Sequence, residues 1–237
     1  MEQKSSERKI KEIEDNGKKY KIEYLGERFD KNFETQKIII IGLSGVGKTS
    51  ISFHLLKDEF KICSPTISLD LANYQMKVND EIIQFQLWDT CGNDEFAEKT
   101  PNLFNKTFLA IIVYAINNKR SFEDVGKWYN ILRNKSFGSL VYLIGNKCDL
   151  EEERKVQKYE GEDLKNEYNF NYFMEASAKT GSNVIKLLDK IAINIYEKIK
   201  EEIPNKLNKV RFNLMKEDFG YKSYDMKSKK KKKKIFC

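Results

Sequence analysis

The chain has 237 residues, enough to bury one good-sized core, and no second domain is expected. Its formal net charge of +7 is local: Lys227 and Lys229 to Lys234 supply seven positive charges, and the remainder balances to zero. A broadly basic folded surface is thereby excluded, and with it a nucleic-acid partner. No apolar stretch approaches the ~20 residues that span a bilayer. Residues 1–36 are too charged for a signal peptide, and Glu2 stands where N-myristoylation needs glycine. The four cysteines, Cys63, Cys91, Cys148 and Cys237, have no metal-ligand spacing and read as reduced cytosolic thiols.

Residues 1–36 hold nine acidic and nine basic residues, with Asn16-Gly17 as a hairpin-turn signal. This extension is expected to be mobile or weakly structured, without chemistry of its own. From residue 37 apolar runs alternate with helical patterns, as in a parallel-sheet α/β fold. Strands are expected at 37–42, 68–78, 82–88, 109–115, 140–145 and 171–175. The second and third read as an antiparallel pair joined at Asn79-Asp80. Helices are expected near 48–57, 95–106, 121–134, 157–168 and 183–202. The last carries Val184, Leu187, Leu188, Ile191, Ile195 and Ile199 on one stripe, with Pro204 past its end. His54, the only histidine, reads as helix packing, as do Trp128 and Tyr129.

The first strand, Lys37 to Ile41, runs into Gly42-Leu43-Ser44-Gly45-Val46-Gly47-Lys48-Thr49, which fits G-x-x-x-x-G-K-[ST] between a strand and a helix. Glycines let successive N–H groups turn inward around phosphate oxygens. Lys48 adds charge at the β/γ-phosphates, the Thr49 hydroxyl can hold Mg²⁺, and Ser50 opens a helix whose N-terminus faces the same anion.

Four further segments decide which nucleotide. Asn146-Lys147-Cys148-Asp149 follows an apolar strand and looks like the guanine-specificity box N-K-x-D. Glu175-Ala176-Ser177-Ala178-Lys179 looks like E-x-S-A-K, Trp88-Asp89-Thr90-Cys91-Gly92 is similar to W-D-T-A-G, and Pro65-Thr66-Ile67 resembles a magnesium-binding switch segment. Together, in order and near-family spacing, they make residues 37–200 resemble the small GTPases of the Ras superfamily, most closely the Rab branch. The resemblance implies a P-loop small G domain at 37–202: a six-stranded, mostly parallel sheet with helices on both faces. It implies GTP and GDP with Mg²⁺ as cofactors, and GTP hydrolysis.

By resemblance, Ser44 to Ser50 cradle the phosphates, and Thr49, Thr66 and Asp89 (through water) serve the metal. Thr66 and the Gly92 N–H sense the γ-phosphate, so its loss releases both switch loops. Asp149 pairs with guanine N1–H and the exocyclic amine, and the Ala178 N–H meets O6. Asn146 and Ser177 belong to the same base-reading boxes. Lys147 and Lys179 either cover the base or are solvated surface, and Phe60 either packs on the guanine edge or is core. Lys48, Gly92 and Asn93 are the catalytic candidates. The family places Gln where Asn93 stands, to orient the attacking water. The shorter amide, with Asp94 for Glu, Cys91 for Ala, Glu95 for Arg, Cys63 where a Tyr often lids the phosphates and a Phe60–Thr66 interval one residue short, implies slow hydrolysis. A GTP-binding scaffold or pseudo-GTPase with little hydrolysis is the alternative, and a nuclear-transport GTPase a third reading.

Partners implied are an exchange factor, an activating protein and effectors at residues near 60–71 and 88–104. The effector triad aligns to Leu71, Trp88 and Leu103, where only Trp88 is aromatic. Residues 203–237 read as a tail ending in a polybasic run and Cys237. Rab proteins are prenylated at such cysteines, and lipid plus polybasic run makes a two-signal anchor. A prenyl-binding escort, an anionic membrane and residence on the cytoplasmic face of an intracellular membrane, cycling with the cytosol, follow from that. A solvated charge run or a nuclear-localisation patch is the other reading of the lysines.

Overall fold

A parallel strand buried on both faces needs continuous apolar sequence, not alternation. Thr35–Ile41 (β3), with its four isoleucines, and Thr107–Ala115 (β6), buried at all nine positions, meet that need at the sheet centre. The computed structural model describes residues 10–62, 69–93, 100 and 102–218, with side chains through 202. Lys11–Asp15 (β1), Lys18–Gly26 (β2), Asp70–Val78 (β4), Glu81–Asp89 (β5), Leu140–Asn146 (β7) and Tyr172–Glu175 (β8) complete one sheet, ordered β1-β2-β4-β5-β3-β6-β7-β8. The pairings β5–β3, β3–β6, β6–β7 and β7–β8 are parallel, and the remaining three are antiparallel. The six expected strands are therefore present, with β4 and β5 turning at Asn79-Asp80, and two more join them.

Helices are Lys48–Lys57 (α1), Lys119–Glu123 (α2), Val125–Lys135 (α3), Lys158–Glu167 (α4) and Val184–Asp218 (α5). Ile39, Ile41, Ala110 and Ile112 pack with Val125, Trp128 and Leu132 of α3 on one face of the sheet. Ile38, Ile40, Leu109 and Ile111 alternate with them and are equally buried on the other face. Tyr142 lies on that second face, between Val141 and Leu143, and its hydroxyl donates to the Lys190 carbonyl of α5 at 3.4 Å. The chain divides into residues 1–196, which carry the sheet, and residues 197–237.

Three expectations are corrected. Residues 10–36 are not a weakly structured extension. Asn16 (φ 51°) and Gly17 (φ 74°) turn a hairpin, and β2 pairs with β4 from Ile22↔Val78 to Gly26↔Gln75. Tyr20 and Ile22 are buried, and Tyr20 meets the Tyr196 ring edge-on. Lys11 pairs with Asp189 at 2.8 Å and Lys190 with Asp15 at 2.7 Å, tying the hairpin to α5. The connection to β3 is pinned by Gln84, which is fully buried. Its carbonyl accepts from the Asp30 N–H (2.8 Å) and Gln75 (2.8 Å), while its amide donates to Asp30 O and Thr35 Oγ1. The alternation Tyr20, Ile22, Tyr24 supplies the buried face that balanced charge had masked.

The helix expected at 121–134 is divided, with Asp124 between α2 and α3. The last helix does not stop before Pro204, and its backbone is helical to Asp218. An interior proline ordinarily costs about 3 kcal/mol, so an end before Pro204 is the expectation from residue type alone. Half of the helix expected near 95–106 lies outside the described residues, and its described end, 102–106, is a series of turns and bends. Thr66, Cys63, Asp94 and Glu95 also lie outside them, as do Lys229 to Lys234 and Cys237.

Candidate nucleotide site

β3 ends at Ile41 and the chain reverses through Gly42 to Gly47 into α1. Two glycines are demanded by geometry. A Cβ at Gly42 (φ 139°) would stand 2.2 Å from Val113 O, and one at Gly47 (φ 95°) would stand 2.3 Å from Asn146 Nδ2. Gly47, the N-cap of α1, offers no side chain to the first N–H groups of the helix, the end where an anion binds. Above this loop opens a cleft of about 370 Å³, lined at one end by Ser44, Gly45, Gly47, Lys48, Thr49, Ser50 and Gly92. At the other end stand Phe60, Asn146, Lys147, Asp149, Ala178 and Lys179.

Lys48 is buried and donates to Gly42 O (3.0 Å) and Leu43 O (3.1 Å). Burial pushes its pKa down to about 8, with Asp89 and Cys91 acting in the opposite direction. An oxyanion beside Nζ would favour the charged form again. Asp89 closes β5 at 3% exposure, and neither carboxylate oxygen has a hydrogen-bond partner among the described residues. Burial raises its pKa, partly offset by the Thr49 hydroxyl and the Lys48 ammonium. A buried carboxylate next to a hydroxyl and a phosphate-binding loop fits a hard, oxygen-seeking divalent cation. Thr49 and Asp89 are the described residues that would serve Mg²⁺, which supplies charge neutralisation between phosphate oxygens when bound.

The base end is built by two loops that follow parallel strands. Asn146 closes β7, donates to Val46 O (2.8 Å) and accepts from the Ala178 N–H (3.1 Å), joining all three segments. Val46 itself is buried and supplies that carbonyl rather than a cleft wall. The Lys147 ammonium reaches Gly45 O at 2.8 Å, which lays its stem across the opening between the loops. Ser177 is fully buried and its hydroxyl donates to Asp149 Oδ1 at 2.5 Å, orienting the carboxylate. Arg154 bridges Glu175, at 2.6 and 2.9 Å, to Glu151, bracing one base-reading loop against the other.

Of the catalytic candidates, Lys48 and Gly92 line the cleft and Asn93 does not: it is exposed. Gly92 rests on the phosphate loop, where a Cβ would come 2.2 Å from Ser44 N. Phe60 is 41% exposed and lines the cleft, which places it at the pocket and not in the core. The aligned triad is not presented together. Leu71 and Trp88 are cross-strand partners, but Leu103 is 1% exposed within the core. Lys37 stands 3.5 Å over the Trp88 ring. Ile62 and Leu150 also line the cleft. Neither is read from the sequence as a site residue, although Leu150 directly follows Asp149 and Ile62 lies two residues past Phe60.

A strand, a glycine-rich loop and a helix at one end, with an Asn/Asp loop and a Ser-Ala loop at the other, define a small GTP-binding domain. A model of the Ras family matches residues 37–197, more than half of the sequence. The chain belongs to the Ras family. Its members are small GTPase switches that bind GTP and GDP with Mg²⁺ and hydrolyse GTP.

Proposed function

We propose that the chain is a Rab-like guanine-nucleotide switch that binds GTP, hydrolyses it slowly and controls vesicle traffic at the cytoplasmic face of an intracellular membrane, cycling with the cytosol. The observation that carries this reading is Lys229 to Lys234 with Cys237, beyond a domain of the Ras family. Six lysines near an anionic leaflet contribute ~1 kcal/mol each, and a prenyl group on Cys237 adds the second signal of a stable anchor. A prenyl-binding escort would cover that lipid in the cytosol. Exchange factor, activating protein and effectors would engage residues near 60–71 and 88–104. Ile62 and Leu71, both exposed, support a partner surface there.

The test is the mass of Cys237 in native protein together with membrane fractionation. A lipid at Cys237, a cytosolic Cys237→Ser variant, and weaker binding to anionic vesicles when the six lysines become Gln are expected. A native chain that is unlipidated yet membrane-bound, or lipidated yet indifferent to the lysines, overturns the reading. One observation favours the second reading, a GTP-binding scaffold: Asn93 is exposed outside the cleft. Single-turnover hydrolysis of bound GTP decides between them, with Asn93→Gln expected to accelerate a slow switch.

A further inference from the structure

The two ends of the cleft are built on segments far apart in sequence, and one side chain outside the cleft joins them. His54 lies in α1, six residues past Lys48, and is 7% exposed. Its Nδ1 stands 2.8 Å from the carbonyl oxygen of Ala178. A carbonyl only accepts, so Nδ1 carries the proton and the tautomer is fixed. Nε2 lies 3.6 Å from Asp58 Oδ1, at the C-cap of the same helix. The loop closes over the ring because residue 181 is glycine: a Cβ there, at φ 77°, would sit 2.8 Å from Nε2.

Both polar groups of Ala178 are therefore assigned. Its N–H lies against Asn146 Oδ1 at 3.1 Å, and its C=O is held by His54. Ser177 meanwhile accepts the Gly181 N–H on its carbonyl at 2.9 Å and orients Asp149 through its hydroxyl. We propose that His54 is a positioning residue for base recognition: through Nδ1–H it holds Ala178 so that its N–H, which rests on Asn146 Oδ1, can be shared with the 6-oxo group of guanine, and it couples this loop to the helix that holds the phosphates. The inference rests on the guanine reading of the cleft.

The test pairs a change in the protein with a change in the base. The full chain is loaded with GDP or with 6-thioguanosine diphosphate, whose sulfur is a weak acceptor, and release is followed. His54→Leu keeps apolar bulk but strands the Ala178 carbonyl. It is expected to speed GDP release about tenfold, the scale of one lost buried hydrogen bond, and 6-thio-GDP release less than twofold. His54→Asn restores a donor at the same bond separation from the backbone and is expected to return GDP release to within twofold of the native rate. Should His54→Leu fail to fold, Gly181→Ala crowds the same imidazole from the loop side and is expected to show the same selectivity. Equal acceleration of both nucleotides, no acceleration, or no rescue by Asn overturns the assignment. A native protein that holds ATP as well as GDP instead defeats the guanine reading itself, and that control is separate.

Discussion

Ile22 gives a direct measure of whether the N-terminal hairpin belongs to the folded domain. Ile22 lies in β2 with its side chain fully buried, and its position pairs with Lys11 of β1 and Val78 of β4. Truncation to alanine removes three carbons from a packed site, and losses of this kind run to about 2–5 kcal/mol when the cavity does not collapse. The hairpin has a sheet on one side only, so partial collapse is available and a value near 2–3 kcal/mol is expected. For a domain of this size that lowers Tm by roughly 4–12 °C. Ile10, 55% exposed just before β1, is the matched control, and Ile10→Ala should stay within about 0.5 kcal/mol. Urea unfolding reports the free energy, and hydrogen exchange at Gln75 to Val78 reports whether the strand edge has opened. If Ile22→Ala is as silent as Ile10→Ala, and the exchange at residues 75–78 is unaltered, the hairpin does not hold to the sheet and the packing argument fails.

Asp89→Asn should hold or raise the Tm of nucleotide-free protein, because it removes a carboxylate whose charged form burial disfavours. The same variant should lose the gain in GDP affinity that Mg²⁺ confers; calorimetric titration with and without Mg²⁺ measures this, and a retained gain refutes the metal role. Lys48 has its pKa pushed from 10.5 down to about 8. Between those values the unfolded chain binds a proton that the folded one does not, so raising pH across the window stabilises the nucleotide-free fold, by up to on the order of 3 kcal/mol. Lys48→Met lacks this dependence. The stability difference between the two, from urea unfolding at pH 7.5 and pH 10, should therefore shift in favour of the native protein at the higher pH. An unchanged difference would show that Lys48 is not desolvated.

What the chain announces locally and what it hides differ by the range of the interaction involved. Gly42 and Gly47 were legible because each answers a demand of its own backbone, and Lys48 because it must follow the loop at a set interval. The Asn146 and Ala178 boxes were legible through their resemblance to family boxes, each set directly after an apolar run that forms a buried parallel strand. Gln84 was not, since its four hydrogen bonds come from Asp30, Gln75 and Thr35, and nothing in the local strand pattern marks a buried amide there. Leu103 aligns to an effector position by resemblance, whereas it packs in the core cluster at 1% exposure. His54 shows the division most clearly. Its place in the helix after the phosphate loop reads as packing, and it is buried there. The carbonyl that fixes its tautomer, however, lies 124 residues away. A side chain can satisfy the helix pattern and still carry a long-range contact, because burial and hydrogen bonding are separate demands met by different atoms of the same ring.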